Sequence, residues 1–294
     1  MKSFLLFFLS FFIGYTVSGQ TALEYHLKEG DTFMVRQHAE QVISQELDGA
    51  VQEITNIISG ILTFKVVGEK EDTYEIDLSF EDLNLMMMSN IQGPLMNIKA
   101  KEVKEEDPQS KVFNAILNYP VKITLAKTGD ILAVEGGDSL VAKMAKASGL
   151  KDDFSLNLMK KSLEKEFGSK ALSNSYKQMT FIYPSAPISI GGTWENEYQG
   201  KLMAKNRWTL DSLNTTNAII SGKANIIMDV KEAATSMALN GTQETQITTD
   251  ITTGFIRTMK VTSTSEGFST IAQLGDQQIP TTIKSTTTYE LIKE

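Results

Sequence analysis

The stretch YEIDLSFEDLNLMMM, Tyr74 to Met88, decides how the rest of the chain is read. Tyr74, Ile76, Leu78 and Phe80 alternate with Glu75, Asp77, Ser79 and Glu81. Successive side chains of a strand point to opposite faces, so this alternation marks a strand with one dry and one wet face. The pattern slips by one at Glu81-Asp82 and resumes at Leu83, Leu85 and Met87. One surplus residue of this kind is a β-bulge, which bends a strand and helps a sheet curl.

Upstream, Phe33 to Ile43 and Val51 to Val67 are rich in β-branched residues, and Leu47-Asp48-Gly49-Ala50 supplies an Asp-Gly turn between them, a long hairpin. Downstream, Val121 to Lys127 and Asp130 to Glu135 flank Thr128-Gly129. Asp138 to Ser148 then reads as a short amphipathic helix, with Asp138 as its cap and Gly149 as its stop. From Asp153 to about Ile182 apolar residues recur at helical spacing, broken at Gly168 and ended by Pro184 and Pro187. Beyond Gly191-Gly192 six Thr-rich strands follow: Trp194 to Leu202, Asn206 to Leu213, Ala218 to Val230, Thr235 to Ile247, Gly254 to Thr264 and Gln277 to Ile292.

The two β-rich halves share landmarks. Gly30-Asp31-Thr32-Phe33 matches Gly192-Thr193-Trp194, and Thr128-Gly129-Asp130-Ile131 matches Thr253-Gly254-Phe255-Ile256. The expected fold is mainly β with a central helical segment (α+β): two related lobes of curved antiparallel sheet, half-barrel or sandwich-like. The expected boundaries are a leader at 1–19, an N-terminal β lobe at 20–137, helices at 138–190 and a C-terminal β lobe at 191–294.

The leader, MKSFLLFFLSFFIGYTVSG, has one basic residue, Lys2, an apolar run from Phe4 to about Tyr15, and small residues at Val17 and Gly19. This is the pattern of a secretory signal peptide cleaved before Gln20, its apolar core falling short of the roughly 20 residues of a membrane span. An exported protein of the periplasm or cell exterior, without an integral span after cleavage, is expected. The 294 residues include no cysteine, which excludes disulfides, a thiol nucleophile, thiolate metal sites and a cysteine-borne lipid anchor. Bacterial export therefore fits well. Without the leader, 27 basic residues face 36 acidic ones, and no basic run interleaved with aromatics exists to bind nucleic acid.

The Ser-Gly-Gln at the leader's end, KEGDTF at Lys28 to Phe33, TGDILAVEG at Thr128 to Gly136 and Tyr-Pro followed by Ile-Gly-Gly-Thr-Trp between Tyr183 and Trp194 together resemble the DUF6263 family of exported Bacteroidetes proteins. The resemblance covers nearly the whole mature chain, in motifs that are turn and strand punctuation. It implies an exported β-rich protein and brings no catalytic residues with it.

Candidate chemistry is sparse. Gly137-Asp138-Ser139-Leu140 spells the GDSL motif of SGNH lipases and esterases, but both histidines, His26 and His38, precede Ser139, and the surrounding strands are wrong for that doubly wound fold. His38 shares a strand face with Arg36 and Glu40, a solvated polar face, and His26 has no ligand spacing to it. Met86, Met87 and Met88 alternate across a strand, so three in a row do not serve one ion; a core or cavity-lining role follows, since methionine fills adaptable apolar space. KEVKEED, Lys101 to Asp107, ahead of Pro108, reads as a solvated loop. Asn214-Thr215-Thr216 and Asn240-Gly241-Thr242 are sequons without meaning if the host is bacterial, and Asp138-Ser139-Leu140 and Asp211-Ser212-Leu213 resemble the short O-glycosylation motif of Bacteroidetes.

The expected function is that of an exported, non-enzymatic protein with no catalytic, cofactor or metal residues, which binds an apolar ligand such as a lipid between sheet and helices. The plan resembles the half-barrel of bacterial lipid carriers. Phe80, Leu83, Leu85, Met87 and Met144 are the expected pocket lining. The alternatives are an envelope structural or protein-interaction module with an envelope protein as partner, and an esterase acting through Ser139.

Overall fold

A computed structural model describes residues 19–293 apart from positions 48, 201, 233 and 276. The leader, residues 1–19, therefore lies outside the described residues except for Gly19. In chain order the elements are β1 (Thr32–Leu47), β2 (Ala50–Glu69), β3 (Thr73–Ser89), β4 (Gly93–Lys99), α1 (Pro108–Asn114), β5 (Val121–Ala126), β6 (Ile131–Glu135), α2 (Gly137–Ala147), α3 (Asp153–Phe167), α4 (Ser169–Thr180), β7 (Thr193–Tyr198), β8 (Leu202–Leu213), β9 (Asn217–Lys231), β10 (Thr235–Asp250), β11 (Ile256–Ile271) and β12 (Ile279–Lys293).

The strands form one antiparallel sheet in the order β6-β5-β3-β2-β1-β12-β11-β10-β9-β8-β7, with β4 added to β3. The two β-rich halves are therefore not seen as separate lobes. β1 pairs with β12 from Met34↔Lys293 to Gln45↔Thr281, which welds the halves at their innermost strands. The edge strands β6 and β7 both contact α4, so the sheet curls until its two margins meet one helix.

The alternation in β3 runs as the sequence predicts. Phe80 lies opposite Leu62 and Asp82 opposite Ile61, leaving Glu81 as the surplus residue. Tyr74, Ile76, Leu78, Phe80 and then Leu83 are all buried on the same face. The helices at Gly137–Ala147, Asp153–Phe167 and Ser169–Thr180 also match expectation, including the break at Gly168. The cap of α2 differs: Gly136, at φ +92°, occupies the N-cap, and Asp138 stands in the first turn. Its carboxylate there still complements the positive end of the helix dipole. β4 and α1 were not anticipated. Pro108 is tolerated at the start of α1 because its missing N–H would be unpaired there anyway, and Asp107 Oδ1 accepts from Gln109 N at 2.9 Å.

The two Thr-Gly turns meet at one end of the sheet and grip the segment that precedes β1. Tyr25 N donates to Lys127 O at 2.9 Å, and His26 N donates to Thr253 O at 2.8 Å. A Cβ on Gly129 would sit 1.8 Å from Thr180 O, and one on Gly254 would sit 2.2 Å from Glu24 O. Both glycines are thus required by close approach as well as by positive φ, +89° and +69°. The Tyr25 ring packs edge-on to Tyr183 and Phe255, Phe255 stacks on Phe33 at 4.1 Å, and Tyr74 Oη donates to Tyr25 O. This aromatic plug anchors a single core that extends from the sheet to α2 and α4.

Burial holds the phenols of Tyr25, Tyr176, Tyr183 and Tyr198 well above their ordinary range and pushes that of Tyr289 up to about 12. The sign follows from which form is buried. A neutral phenol is compatible with the core and a phenolate is not, so the unfolded chain loses its protons first, near pH 10. Stability should be flat with respect to these groups below about pH 10, then fall by about 1.4 kcal/mol per pH unit for each phenol. In an alkaline titration, phenolate absorbance should therefore rise together with the loss of tertiary circular dichroism; a rise well before unfolding would contradict this packing.

Candidate functional site

Away from the plug, the inward faces of the strands are less densely covered. Two neighbouring cross-strand rows run there over β4, β3, β2, β1 and β12. One is Ile98–Leu85–Ile58–Ala39–Thr287; the other is Met96–Met87–Asn56–Gln41–Ser285. Directly opposed side chains in a sheet lie close enough to form a continuous surface. These rows, without Ile98, line a half-open cavity of about 540 Å³ together with Glu40, Ile57, Met86 and Glu166, the last near the end of α3.

The lining is graded. Met96, Met87, Leu85 and Ile58 make an apolar end, whereas Asn56, Gln41 and Ser285 make a polar one. Asn56 Nδ2 donates to Gln41 Oε1 at 3.3 Å, and the Ser285 and Ser263 hydroxyls are paired at 2.7 Å, which carries the polar row on to β11. Among the described residues, Asn56 Oδ1 is buried without a hydrogen-bond partner. Glu40, which also borders the cavity, alternates with Ala39 and Gln41 in β1 and is exposed.

Of the residues proposed from sequence, Leu85 and Met87 border this cavity. Phe80 and Leu83 are buried in the main core, and Met144 is fully buried in α2. Met87 shares the inward face with Leu85 and alternates with Met86 and Met88, although Met86 also borders the cavity. Asn56, Gln41 and Ser285 carry no local signal in the sequence, because only the pairing register brings them together. Counting back from the β1–β2 turn sets Gln41 opposite Asn56, whereas the placing of Asn56 beside Met87 depends on the β2–β3 register.

Ser139 is exposed in the first turn of α2. His26 is tied to the Thr253 turn and stands 3.7 Å from Glu24, and His38 is exposed in β1 opposite Ser59 and Thr288. Among the described residues neither imidazole hydrogen-bonds to Ser139. Two further surface hollows, of about 620 and 520 Å³, lie on the sheet formed by β7–β12 and are bordered by polar side chains such as Asp211, Lys260, Arg207 and Glu244. Among the described residues no helix is long and apolar enough to cross a membrane.

Comparison with solved structures places the chain beside lipovitellin, in a structure of its lipid–protein interactions, with a TM-score of 0.52 and 11% identity over 91% of this chain. The match spans only 26% of that chain, and at this identity the likeness is one of fold. An outer membrane channel from Pseudomonas putida F1 (TM-score 0.26, 8% identity, 92% of this chain and 98% of that one) is similar only loosely. No curated protein matches the sequence. Residues 71–256, more than half of the chain, match the profile of a family of unknown function, and the protein belongs to that family, DUF6263.

Proposed function

We propose that this protein is an exported, non-enzymatic carrier that holds an apolar or amphiphilic ligand, such as a lipid, inside its half-barrel of sheet. The observation that carries this reading is the graded cavity between β4 and β12, whose about 540 Å³ falls within the range of small-molecule sites, roughly 300–1,000 Å³. Its methionines suit an alkyl chain, because thioether side chains adapt to irregular apolar shapes. The fold likeness to lipovitellin, whose structure is described for its lipid–protein interactions, supports the reading.

The test is uptake of the neutral fluorescent dye N-phenyl-1-naphthylamine, followed by its displacement with a series of alkyl alcohols. Affinity should rise with chain length by about 0.8 kcal/mol per methylene, roughly fourfold, and level off when the cavity is full. Exchange of Met87 for Glu should abolish dye uptake while leaving the far-ultraviolet circular dichroism unchanged. No uptake by the wild-type protein, and no lipid retained through purification, would rule the carrier out.

One observation favours a second reading, a protein-interaction module. Helix α3 has no buried residue, and Phe154 and Leu158, one turn apart, are 80% and 62% exposed. Exposed apolar side chains grouped this way mark contact surfaces. A single stoichiometric crosslinked partner in cells, alongside failure to take up the dye, would decide for it.

A further inference from the structure

Resting on the carrier reading, the helical layer points to the route by which a ligand enters. We propose that α3 is a hinged strap across the open side of the half-barrel, and that ligand passes in and out of the cavity when this one helix swings away.

The last turn of α3 fixes where the helix lies. Glu166 borders the cavity, whose floor is β12 and β1–β4. The residue before it, Lys165, reaches the turn between β9 and β10, where its Nζ stands 3.1 Å from Glu232 Oε2. That turn is on the far side of β11 from the cavity floor. Two neighbouring residues of one helix thus touch separated parts of the curled sheet, which puts the end of α3 over its concave face.

The hold on the helix is weak. Helix α2 buries five residues and α4 buries four, but α3 buries none. Met159, Leu163 and Phe167 on its inner side are only partly covered by the core, and its backbone packs on α2 and α4. Apolar burial is the main term that holds an element down, so the element with least of it opens at the lowest free energy. The Lys165–Glu232 pair is half-exposed and adds little to that hold. Both ends of α3 are glycine breaks. Gly149 has φ +75° and open space where a Cβ would stand, and Gly168 is in extended backbone. Hinges are a few element-terminal residues of this kind, and rotation at these two moves α3 while the buried faces of α2 and α4 stay in place.

The cysteine-free chain allows a clean test. The double variant Lys165→Cys and Glu232→Cys, neither residue lining the cavity, is bridged with a short bis-maleimide. Bridging should slow uptake of N-phenyl-1-naphthylamine at least about tenfold and leave its equilibrium affinity within about twofold, because the barrier rises while the site is unchanged. The unbridged variant should take up the dye at least as fast as the wild type. Hydrogen exchange of the unmodified protein is a second measurement: protection of α3 amides should be at least about tenfold lower than in α2 and α4, and should rise when dye is bound. Wild-type uptake rates in the bridged protein, or protection in α3 equal to that in α2 and α4, would overturn the strap and leave the carrier intact. No uptake by the wild-type protein would overturn both.

Discussion

Alanine in place of Gly254 should destabilise the protein by about 3–5 kcal/mol, while the same change at Gly149 should cost only about 1–2 kcal/mol. The two glycines have nearly the same backbone, φ +69° and +75°, so the left-handed penalty on an L side chain is shared. They differ in surroundings. A Cβ on Gly149 meets nothing within 4 Å, whereas one on Gly254 would lie 2.2 Å from Glu24 O and 2.9 Å from Tyr25 Cα. Both obstacles are backbone, so no rotamer change relieves them. Relief requires the segment before β1 to move, and that segment is held on its other side by Lys127 and carries the Tyr25 ring into the plug. Gly254 O also accepts the Tyr183 hydroxyl, so the shift would loosen a second buried tyrosine. Urea midpoints at unchanged m-value give the comparison directly. Equal losses at the two positions would mean that the Thr253-Gly254 turn does not clamp the segment.

That clamp shows which parts of the architecture were legible in the chain itself. The repeated Thr-Gly turns could be read as hairpin punctuation, because positive φ leaves a compositional trace. Their second role, closing on Tyr25 from both sides, has no local trace, since it depends on where distant segments meet. The same division runs through the rest. Side-chain alternation located β3 and its bulge, and helical spacing located α2, α3 and α4, all of them features written within a few residues. The β1–β12 pairing joins residues about 250 positions apart in the chain, such as Arg36 and Glu290, whose side chains form an ion pair at 2.7 Å. Nothing in either strand names its partner, and two lobes were the simpler expectation. The cavity divides likewise. Leu85 and Met87 stood out as apolar residues after the bulge, whereas Asn56 and Gln41 look like ordinary polar strand residues until register sets them beside methionine. β4 was hidden because Gly93 and Pro94 at its start read as turn, and Met88↔Pro94 sits where its pairing with β3 is irregular.

Two single-residue deletions four positions apart should have opposite outcomes. Deletion of Glu81 should leave a folded protein within about 2 kcal/mol of the parent, and deletion of Asp77 should leave none. Glu81 is the surplus residue between Phe80↔Leu62 and Asp82↔Ile61, so its removal makes the ladder continuous and leaves every later side chain on its present face. What is lost is the local bend and the hydrogen bond from Thr63 Oγ1 at 3.2 Å. Asp77 is a regular member of the ladder, opposite Lys65. Without it, and with the register beyond the bulge retained, Leu78 and Phe80 turn outward while Ser79 and Glu81 turn inward. Leu78 and Phe80 are 0% and 5% exposed, and loss of their burial costs about 1.5–3 kcal/mol each. An unpaired carboxylate in the core adds several kcal/mol more, which together reaches the whole stability of an ordinary domain, about 5–15 kcal/mol. The Glu81 deletion also bears on ligand binding, because straightening β3 moves Leu85 and Met87 relative to β2, so dye affinity should fall although the protein folds. Soluble yield and the urea transition distinguish the two variants. Comparable damage from both deletions would mean that the slip at Glu81-Asp82 is not a bulge, and the curvature assigned to this strand would go with it.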